Sequence, residues 1–318
     1  MADLPRIVFF GTPDIAVASL NAIVKAGYPV RGAVTAPDMP AGRGLKIKAS
    51  PVKDYAERRN IEVAQPPDLT SKEFIRLLQE WKPDIQVVVA FRLLPKEVWT
   101  LPAMGTFNLH ASLLPQYRGA APINRVLING ETETGVTTFF LQEKVDTGNI
   151  ILQEKTPVHP DETAGELHDR LMHLGSEAVV RTLEMIASRD VRLISQDQLM
   201  GPGTLLKKAP KIHKEDCRIK WDQDVFSVHN QIRGLSPHPA GFSVFAGNDG
   251  QDYYLKIFRS KPEQEEHTYS PGTVITDGKT FFRIAARNGF TSLLHVQVSG
   301  RKAMAVGEFL HGFGRHFV

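Results

Sequence analysis

Two polar side chains with complementary chemistry, Asn108 and His110, stand two positions apart in an otherwise apolar stretch of the chain. In extended backbone, residues two apart project from the same face, so the amide and the imidazole could be presented together. When an amine attacks a carbonyl carbon, negative charge develops on the oxygen and a proton must leave the nitrogen. Asn108 could donate a hydrogen bond to that oxygen, and His110 could donate as well or move the proton. The spacing therefore favours acyl-type transfer.

A carboxylate near His110 would set the charge and orientation of its ring, and Asp146, in the turn Asp146-Thr147-Gly148, is the candidate. Structural alternatives stay open for both features, because an Asn-x-His pair can be a hydrogen-bonded strand end and an Asp before Thr-Gly is commonly a turn former. His110 has no second His or Cys at ligand spacing, so we expect no metal. Ser112 lacks the Gly-x-Ser-x-Gly context of a nucleophile.

Over the first half of the chain, short apolar runs alternate with segments whose apolar residues recur at helical spacing. Strands are indicated at residues 7–10, 30–35 and 84–90, and helices at 15–23, 51–59, 71–81 and 163–188. This alternation predicts an α/β fold with a doubly wound, Rossmann-like, mostly parallel sheet, whose sites lie beyond the carboxyl ends of the strands. The first turn, Gly11-Thr12-Pro13-Asp14, lacks the G-x-G-x-x-G spacing, which argues against a nicotinamide cofactor.

The pattern changes in the last third of the chain. Residues 189–208 are irregular and contain Gly201-Pro202-Gly203, which suits a linker. Short β-rich runs then follow, for example at 242–245, 253–258 and 293–298, with turns between them. We therefore expect a catalytic domain at 1–188, a linker at 189–208, and a smaller OB-like β-barrel domain at 209–318.

Composition narrows the classes of protein further. A chain of 318 residues that is 42% hydrophobic and 23% charged is large enough for two cores and excludes overall disorder. Its one cysteine, Cys217, cannot form an intramolecular disulfide and suggests a reducing cytoplasm. No apolar run approaches the ~20 residues that a bilayer span needs. We expect a cytoplasmic protein with no membrane partner, and a monomer.

Net charge is only +3, so a nucleic-acid surface would have to come from local clusters. One basic loop holds Arg43, Lys46 and Lys48 without an acidic residue between them, although a solvated loop would look the same. A second cluster runs from residue 207 to 220 and holds six basic residues, Lys207, Lys208 and Lys211 among them, against Glu215 and Asp216. Contact with phosphates is plausible there.

The stretch Asn108-Leu109-His110-Ala111-Ser112-Leu113-Leu114-Pro115, followed by Asp146-Thr147-Gly148, resembles the signature of folate-dependent formyltransferases. The resemblance covers nearly the whole chain. Two further segments, 37–45 and 117–123, resemble those members of the family that act on methionyl-tRNA, and the match continues through 50–53 and 219–221. One segment departs from the family, because residues 91–94 are shorter than in many members and carry Arg92 in place of a glycine.

The resemblance implies transfer of the formyl group of 10-formyltetrahydrofolate to the α-amino group of methionine on initiator methionyl-tRNA. It implies that Asn108, His110 and Asp146 are the catalytic trio, and that Arg43 and the C-terminal domain meet the tRNA. It also implies folate contacts at Phe91, Arg92, Leu93, Leu94, Ser112, Leu113, Leu114 and Pro115.

Two other functions compete with this interpretation. A formyltransferase for a sugar nucleotide or another small amine would share the trio, but the loop at 42–45 and the basic cluster at 207–220 count against it. An RNA-binding module without activity would have no need for the trio.

Overall fold

The computed structural model describes residues 4–41, 46–201 and 203–318, with only the backbone of Ala41 and Lys46. The strands are β1 Ile7–Gly11, β2 Val30–Val34, β3 Met39–Ala41, β4 Lys46–Lys48, β5 Val63–Ala64, β6 Ile85–Val89, β7 Thr106–His110, β8 Glu133–Phe140, β9 Ile150–Pro157, β10 Gly241–Ala246, β11 Asp252–Gln264, β12 Val274–Thr276, β13 Phe282–Ala286, β14 Gly289–Val298 and β15 Met304–Ala305.

The helices are α1 Asp14–Lys25, α2 Pro51–Arg58, α3 Lys72–Trp81, α4 Lys96–Trp99, α5 Pro122–Ile128, α6 Ala164–Ala187, α7 Val225–Leu235 and α8 Val306–Phe313. Turns of 3-10 helix span Gln196–Leu199, Glu215–Cys217 and Gly314–His316. Among the described residues, no helix is long and apolar enough to cross a membrane.

A seven-stranded sheet with the order β5-β2-β1-β6-β7-β8-β9 forms the first part of the fold. The pairs from β5 to β7 are parallel, and β8 runs antiparallel to β7. Strands β1 and β6 are completely buried, which explains their continuous apolar sequences. The predicted mostly parallel, Rossmann-like sheet is confirmed.

Helices begin where the sequence provides caps. The Ser50 side chain accepts a hydrogen bond from Lys53 N, and Pro51 follows it at the first helical position of α2. Ser71 caps α3 in the same way through Phe74 N. These local signals account for the close agreement between the predicted and observed bounds of α2 and α3.

Strands β10 to β15 form an antiparallel sheet with the order β10-β11-β14-β13-β12, and β15 pairs with β14. The sheet is a half-barrel whose inner residues, Phe282 among them, pack with Val228 and Ile232 of α7 and with Phe309 of α8. The predicted smaller β domain is therefore present. Sequence periodicity missed α7, α8 and β13.

The chain divides into two compact units that are not continuous in sequence. One takes the described residues of Met1–Gly119, Gly135–Thr156 and Asp169–Lys207, and the other takes Ala120–Thr134, Pro157–His168 and Lys208–Val318. The domain boundaries predicted at 188 and 208 remain a prediction.

Candidate active site

Strand β7 presents Asn108 and His110 at an inner position of the sheet. Asn108 lies between Val88 of β6 and Phe139 of β8, and His110 is the last residue of the strand. Asn108 is half-buried and His110 is 7% exposed. Since the two are separated by one residue of a regular strand, the amide and the imidazole share a face, as the spacing predicts.

The ring of His110 is fixed by a backbone carbonyl. His110 Nε2 donates to Tyr117 O at 2.9 Å, because a carbonyl oxygen can only accept. In the neutral ring this hydrogen bond places the proton on Nε2 and leaves the lone pair on Nδ1. Nδ1 is therefore the nitrogen available for proton transfer.

Asp146 bonds to the same short segment. Its Oδ2 accepts a hydrogen bond from Gly119 N at 2.9 Å, and its backbone has a φ of 55°. His110 and Asp146 are thus both bonded to residues 117–119, and no direct ion pair joins them within the described part of the chain. The sequence singled out the segment 117–123 but not its hydrogen bonds to His110 and Asp146.

A buried hydroxyl shapes the loop that follows β7. Thr137 Oγ1 donates to Ser112 O at 2.6 Å and accepts from Leu114 N at 3.1 Å. Gln153 Nε2 donates to both Thr137 Oγ1 and Leu114 O. Thr137 stands in a strand that also holds Thr134 and Thr138, so the sequence gives no signal that singles out this hydroxyl or its partners across the sheet.

Residues of the predicted linker take part in the site. The amide of Gln196, which is 2% exposed, donates to Asp146 O at 3.0 Å and to Gly148 O at 2.9 Å. Lys207, at the other end of the segment, accepts from Tyr117 N through its carbonyl and donates through its N–H to Gln116 Oε1. The segment from 196 to 207 therefore holds both the Asp146 turn and the loop that carries Tyr117.

Predicted folate residues 91–94 directly follow β6, whose last residue, Val89, pairs with Leu109. The segment thus begins beside the strand end that carries His110. Arg92 donates to Pro67 O at 2.8 Å and also to Pro66 O, and its guanidinium lies over the Phe91 ring. Leu94 is buried in the core, whereas Leu93 is 74% exposed.

The second predicted folate segment, residues 112–115, is largely occupied by internal contacts. The Ser112 hydroxyl donates to Gln116 O, and the Leu114 side chain packs against Phe139 and Ile150. Leu113 is half-buried and Pro115 is buried. The folate contacts of this segment remain a prediction.

Predicted tRNA residues lie at the surface where the structure describes them. Lys48, Lys207, Lys208 and Lys211 are exposed. Arg43 lies outside the described residues, as does the side chain of Lys46.

The hairpin β3–β4 that flanks Arg43 is anchored at its base. Lys53 Nζ bonds to Asp38 Oδ2 at 2.6 Å, and Gln65 Nε2 bonds to Asp38 Oδ1 at 2.7 Å. The hydrogen bond from Lys53 holds the pKa of Asp38 below its ordinary value.

Two family models match the chain in order and cover most of it. The formyl transferase model matches residues 5–183, and the model of the formyl transferase C-terminal domain matches residues 211–314. The chain belongs to the formyl transferase family. This confirms the resemblance on which the sequence interpretation rests.

Relatives of this formyl transferase are similar over nearly their full length. The methionyl-tRNA formyltransferase of Bacteroides fragilis is 50% identical over 97% of this chain and 95% of its own. The enzyme of the same name from Bacteroides thetaiotaomicron is 49% identical over the same shares of the two chains. That from Flavobacterium johnsoniae is 48% identical over 96% of each.

Two solved structures share the fold at low identity. WlaRD, a sugar 3N-formyl transferase, has a TM-score of 0.63 at 21% identity and covers 94% of this chain and 99% of its own. HypX from Aquifex aeolicus, solved with tetrahydrofolic acid, has a TM-score of 0.64 at 19% identity over 98% of this chain and 47% of its own.

Proposed function

We propose that this formyl transferase moves the formyl group of 10-formyltetrahydrofolate to the α-amino group of methionine on initiator methionyl-tRNA. The observation that carries the proposal is the near-50% identity to methionyl-tRNA formyltransferases over almost the whole chain, including both family domains. The bonds that tie His110 and Asp146 to one short segment support an acyl-transfer centre there.

Bound 10-formyltetrahydrofolate supplies an electrophilic formyl carbon. Asn108 donates a hydrogen bond to the formyl oxygen as negative charge develops on it, which stabilises the transition state. His110 takes the amine proton at Nδ1, since its Nε2 is committed to Tyr117 O. Asp146 supplies negative charge beside the segment that holds His110, which offsets the positive charge that develops on the attacking amine.

The formyl group passes directly from the folate to the amine, without a covalent intermediate on the protein. The amine nitrogen forms a bond to the formyl carbon while that carbon loses its bond to the folate nitrogen, and the proton leaving the amine ends on the folate nitrogen. A free α-amine in water has a pKa of roughly 7.7–8.0, so about a tenth of it is neutral at pH 7 and about half at pH 8, and little base strength is needed. The centre must mainly orient the amine and neutralise charge.

The carboxyl ends of β6 and β7, where His110 lies, suit a flat, partly apolar co-substrate. Leu93 and Val145 are exposed at 74% and 59%, and they lie on the segments that follow β6 and carry Asp146. Apolar side chains at the carboxyl end of a parallel strand favour packing of an aromatic ring, with backbone groups for its polar edge. The folate contacts at 91–94 are part of the proposal.

The exposed lysines at 207–211 and the basic loop around Arg43 supply cations for tRNA phosphates.

We infer that the protein acts as a monomer in the cytoplasm, free of membranes. Size-exclusion chromatography with light scattering would show a mass near 35.3 kDa for the monomer, and a dimer mass would contradict it.

A turnover assay tests the main proposal. Purified protein receives 10-formyltetrahydrofolate and one of three amines: methionyl initiator tRNA, methionyl elongator tRNA, or an amino sugar nucleotide. We expect rapid formylation of the initiator only. Preference for the amino sugar would favour the rival small-amine formyltransferase, and binding of tRNA without turnover of any amine would favour an inactive RNA-binding protein.

A further inference from the structure

We infer that Gln196 is a positioning residue for Asp146 and that it fixes the geometry of the acid-base centre from 50 positions along the chain. The inference rests on the proposed function for its effect on turnover. Neither the spacing of the trio nor the match to a family model assigns this side chain a role.

Every hydrogen-bonding position of the Gln196 side-chain amide is occupied. Its NH2 group donates to Asp146 O and Gly148 O, at 3.0 Å and 2.9 Å. Its Oε1 accepts from Arg118 Nε at 3.0 Å and from Arg118 Nη2 at 2.6 Å. Since two donors and two acceptor positions are all engaged and the residue is buried, the side chain has one orientation.

All three partners of Gln196 belong to the Asp146 turn or to the segment bonded to His110. Arg118 lies between Tyr117, which accepts from His110, and Gly119, which donates to Asp146. The bonds therefore close a ring that runs from the Asp146 carboxylate through Gly119 and Arg118 to Gln196, and from there back to the Asp146 carbonyl. A displacement of Gln196 would move the carboxylate relative to the segment that holds His110.

The Asp146 turn needs such external support. Asp146 adopts a φ of 55°, a left-handed conformation that residues other than glycine seldom take and that persists only where its surroundings enforce it. The turn also packs closely on the end of β8, because a Cβ on Gly148 would lie 1.7 Å from Phe140 O. Gln196 and the end of β8 thus both restrain the turn.

A nearly isosteric substitution isolates the two donors. Gln196→Glu keeps the size of the side chain and an acceptor for Arg118, but it sets a carboxylate oxygen against the carbonyls of Asp146 and Gly148. Gln198→Glu is the matched control, because it makes the same change on an exposed residue of the same 3-10 turn.

We expect Gln196→Glu to lower kcat for methionyl-tRNA by roughly 100-fold, the loss typical of a displacement of about 1 Å in a reacting group. KM for the tRNA should stay within about twofold, because its phosphate contacts are elsewhere. Gln198→Glu should leave both constants at the wild-type values. Equal kcat in the two variants would overturn the inference, whereas an inactive wild-type protein would instead overturn the proposed function.

Hydrogen exchange tests the same geometry without turnover. The Gly119 amide is protected by Asp146 Oδ2, so a displaced turn should speed its exchange by roughly tenfold in Gln196→Glu and not in Gln198→Glu. If Gln196→Glu fails to fold, Arg118→Gln removes the guanidinium that orients the amide and should raise Gly119 exchange in the same direction. Unchanged exchange at Gly119 in a folded variant contradicts the positioning role, whatever happens to kcat.

Discussion

The imidazole of His110 donates from Nε2 to the carbonyl oxygen of Tyr117 over 2.9 Å. A backbone carbonyl thus sets the tautomer and the orientation of the ring, a task that a carboxylate often performs in acid-base pairs. Asp146 bonds instead to Gly119 N, two residues further along the same segment. We therefore expect Asp146 to contribute its charge, whereas the hydrogen bond to Tyr117 O positions the His110 ring.

Asp146→Asn tests that charge with little change in shape. The amide oxygen can still accept from Gly119 N, so the turn should persist while the negative charge is lost. We expect kcat for formyl transfer to fall by ~10²–10⁴, the range for losing a proton-transfer group, with folate-analogue binding retained. Asp190→Asn, an exposed control, should be fully active. Near-normal turnover of Asp146→Asn would remove Asp146 from the trio.

His110→Gln separates the position of the ring from its ability to titrate. The glutamine amide can donate to Tyr117 O, but it has no lone pair that takes a proton near neutral pH. The loss in kcat should again be ~10²–10⁴, and His110→Ala should lose at least as much. Single-turnover rates across pH are the measurement, with His311→Gln at the surface as the control. A fully active His110→Gln would show that the side chain acts only as a structural donor.

Arg43→Ala should lower kcat/KM for methionyl-tRNA and leave the binding of a folate analogue unchanged. The residue lies outside the described part of the chain, between strands whose base is anchored by Asp38 and Lys53. A stretch of sequence that holds Arg43, Lys46 and Lys48 is suited to an anionic partner. Arg76→Ala, at an exposed position of α3, controls for a general loss of charge. Equal loss of tRNA and folate binding would indicate a structural role for Arg43.

The types and spacing of residues predicted strands of the sheet that carries this centre. Alternating apolar runs predicted β1, β2 and β6, whereas the catalytic roles of the trio remain a prediction from side-chain chemistry and family resemblance. Gln196 could not be found in this way, because its bonds to Asp146 and Arg118 span 50 and 78 positions and depend on tertiary packing. The irregular composition that predicted a linker says nothing about buried hydrogen bonds.

Helix α7 was missed for a different reason. Its first residues, Val225-Phe226-Ser227-Val228, include β-branched and aromatic side chains that favour strands as much as helices. The deciding local signal is Asp224, whose carboxylate caps the helix by accepting from Phe226 N and Ser227 N. Packing of Val228 and Ile232 into the half-barrel core then stabilises the helix.

The cluster at residues 207–211 gives a prediction about salt. Each phosphate contact contributes roughly −0.7 to −0.9 to the slope of log affinity against log salt concentration. Replacing Lys207, Lys208 and Lys211 together by Ala should therefore flatten the slope for tRNA by roughly 2 to 3. Truncation near residue 208 is a poorer test, because residues 120–134 and 157–168 of the second compact unit would stay behind.

Three exposed lysines elsewhere, Lys25, Lys72 and Lys82, provide the control triple variant. Fluorescence titrations of methionyl-tRNA over a range of salt concentrations measure both slopes. If the two triple variants flatten the slope equally, the effect is one of net charge and the cluster at 207–211 is not a contact surface.

A buried histidine in the second unit predicts how stability depends on pH. His229 is 5% exposed, its Nδ1 accepts from Ser260 Oγ at 3.0 Å, and its Nε2 lies 3.4 Å from Pro160 O. Burial, helped by the nearby Arg233, lowers the pKa of His229 below its ordinary value, although Asp161 acts in the opposite direction. The folded protein therefore holds this imidazole neutral where the unfolded chain would already bind a proton.

The lower pKa of His229 in the folded state determines the direction in which the free energy of unfolding changes with pH. Above the unfolded pKa of about 6.5 both states are neutral, and the contribution of His229 is fully present. As the pH falls from about 6.5 towards the lower folded pKa, the unfolded chain binds the extra proton, and the free energy of unfolding falls by up to about 1.4 kcal/mol per pH unit.

Urea denaturation followed at about pH 7, 6 and 5 measures this slope. His229→Gln should remove that component, and His311→Gln, at an exposed site, should retain it. A slope that is the same in wild type and His229→Gln would mean that other groups carry the acid sensitivity and that His229 is protonated in the fold without cost.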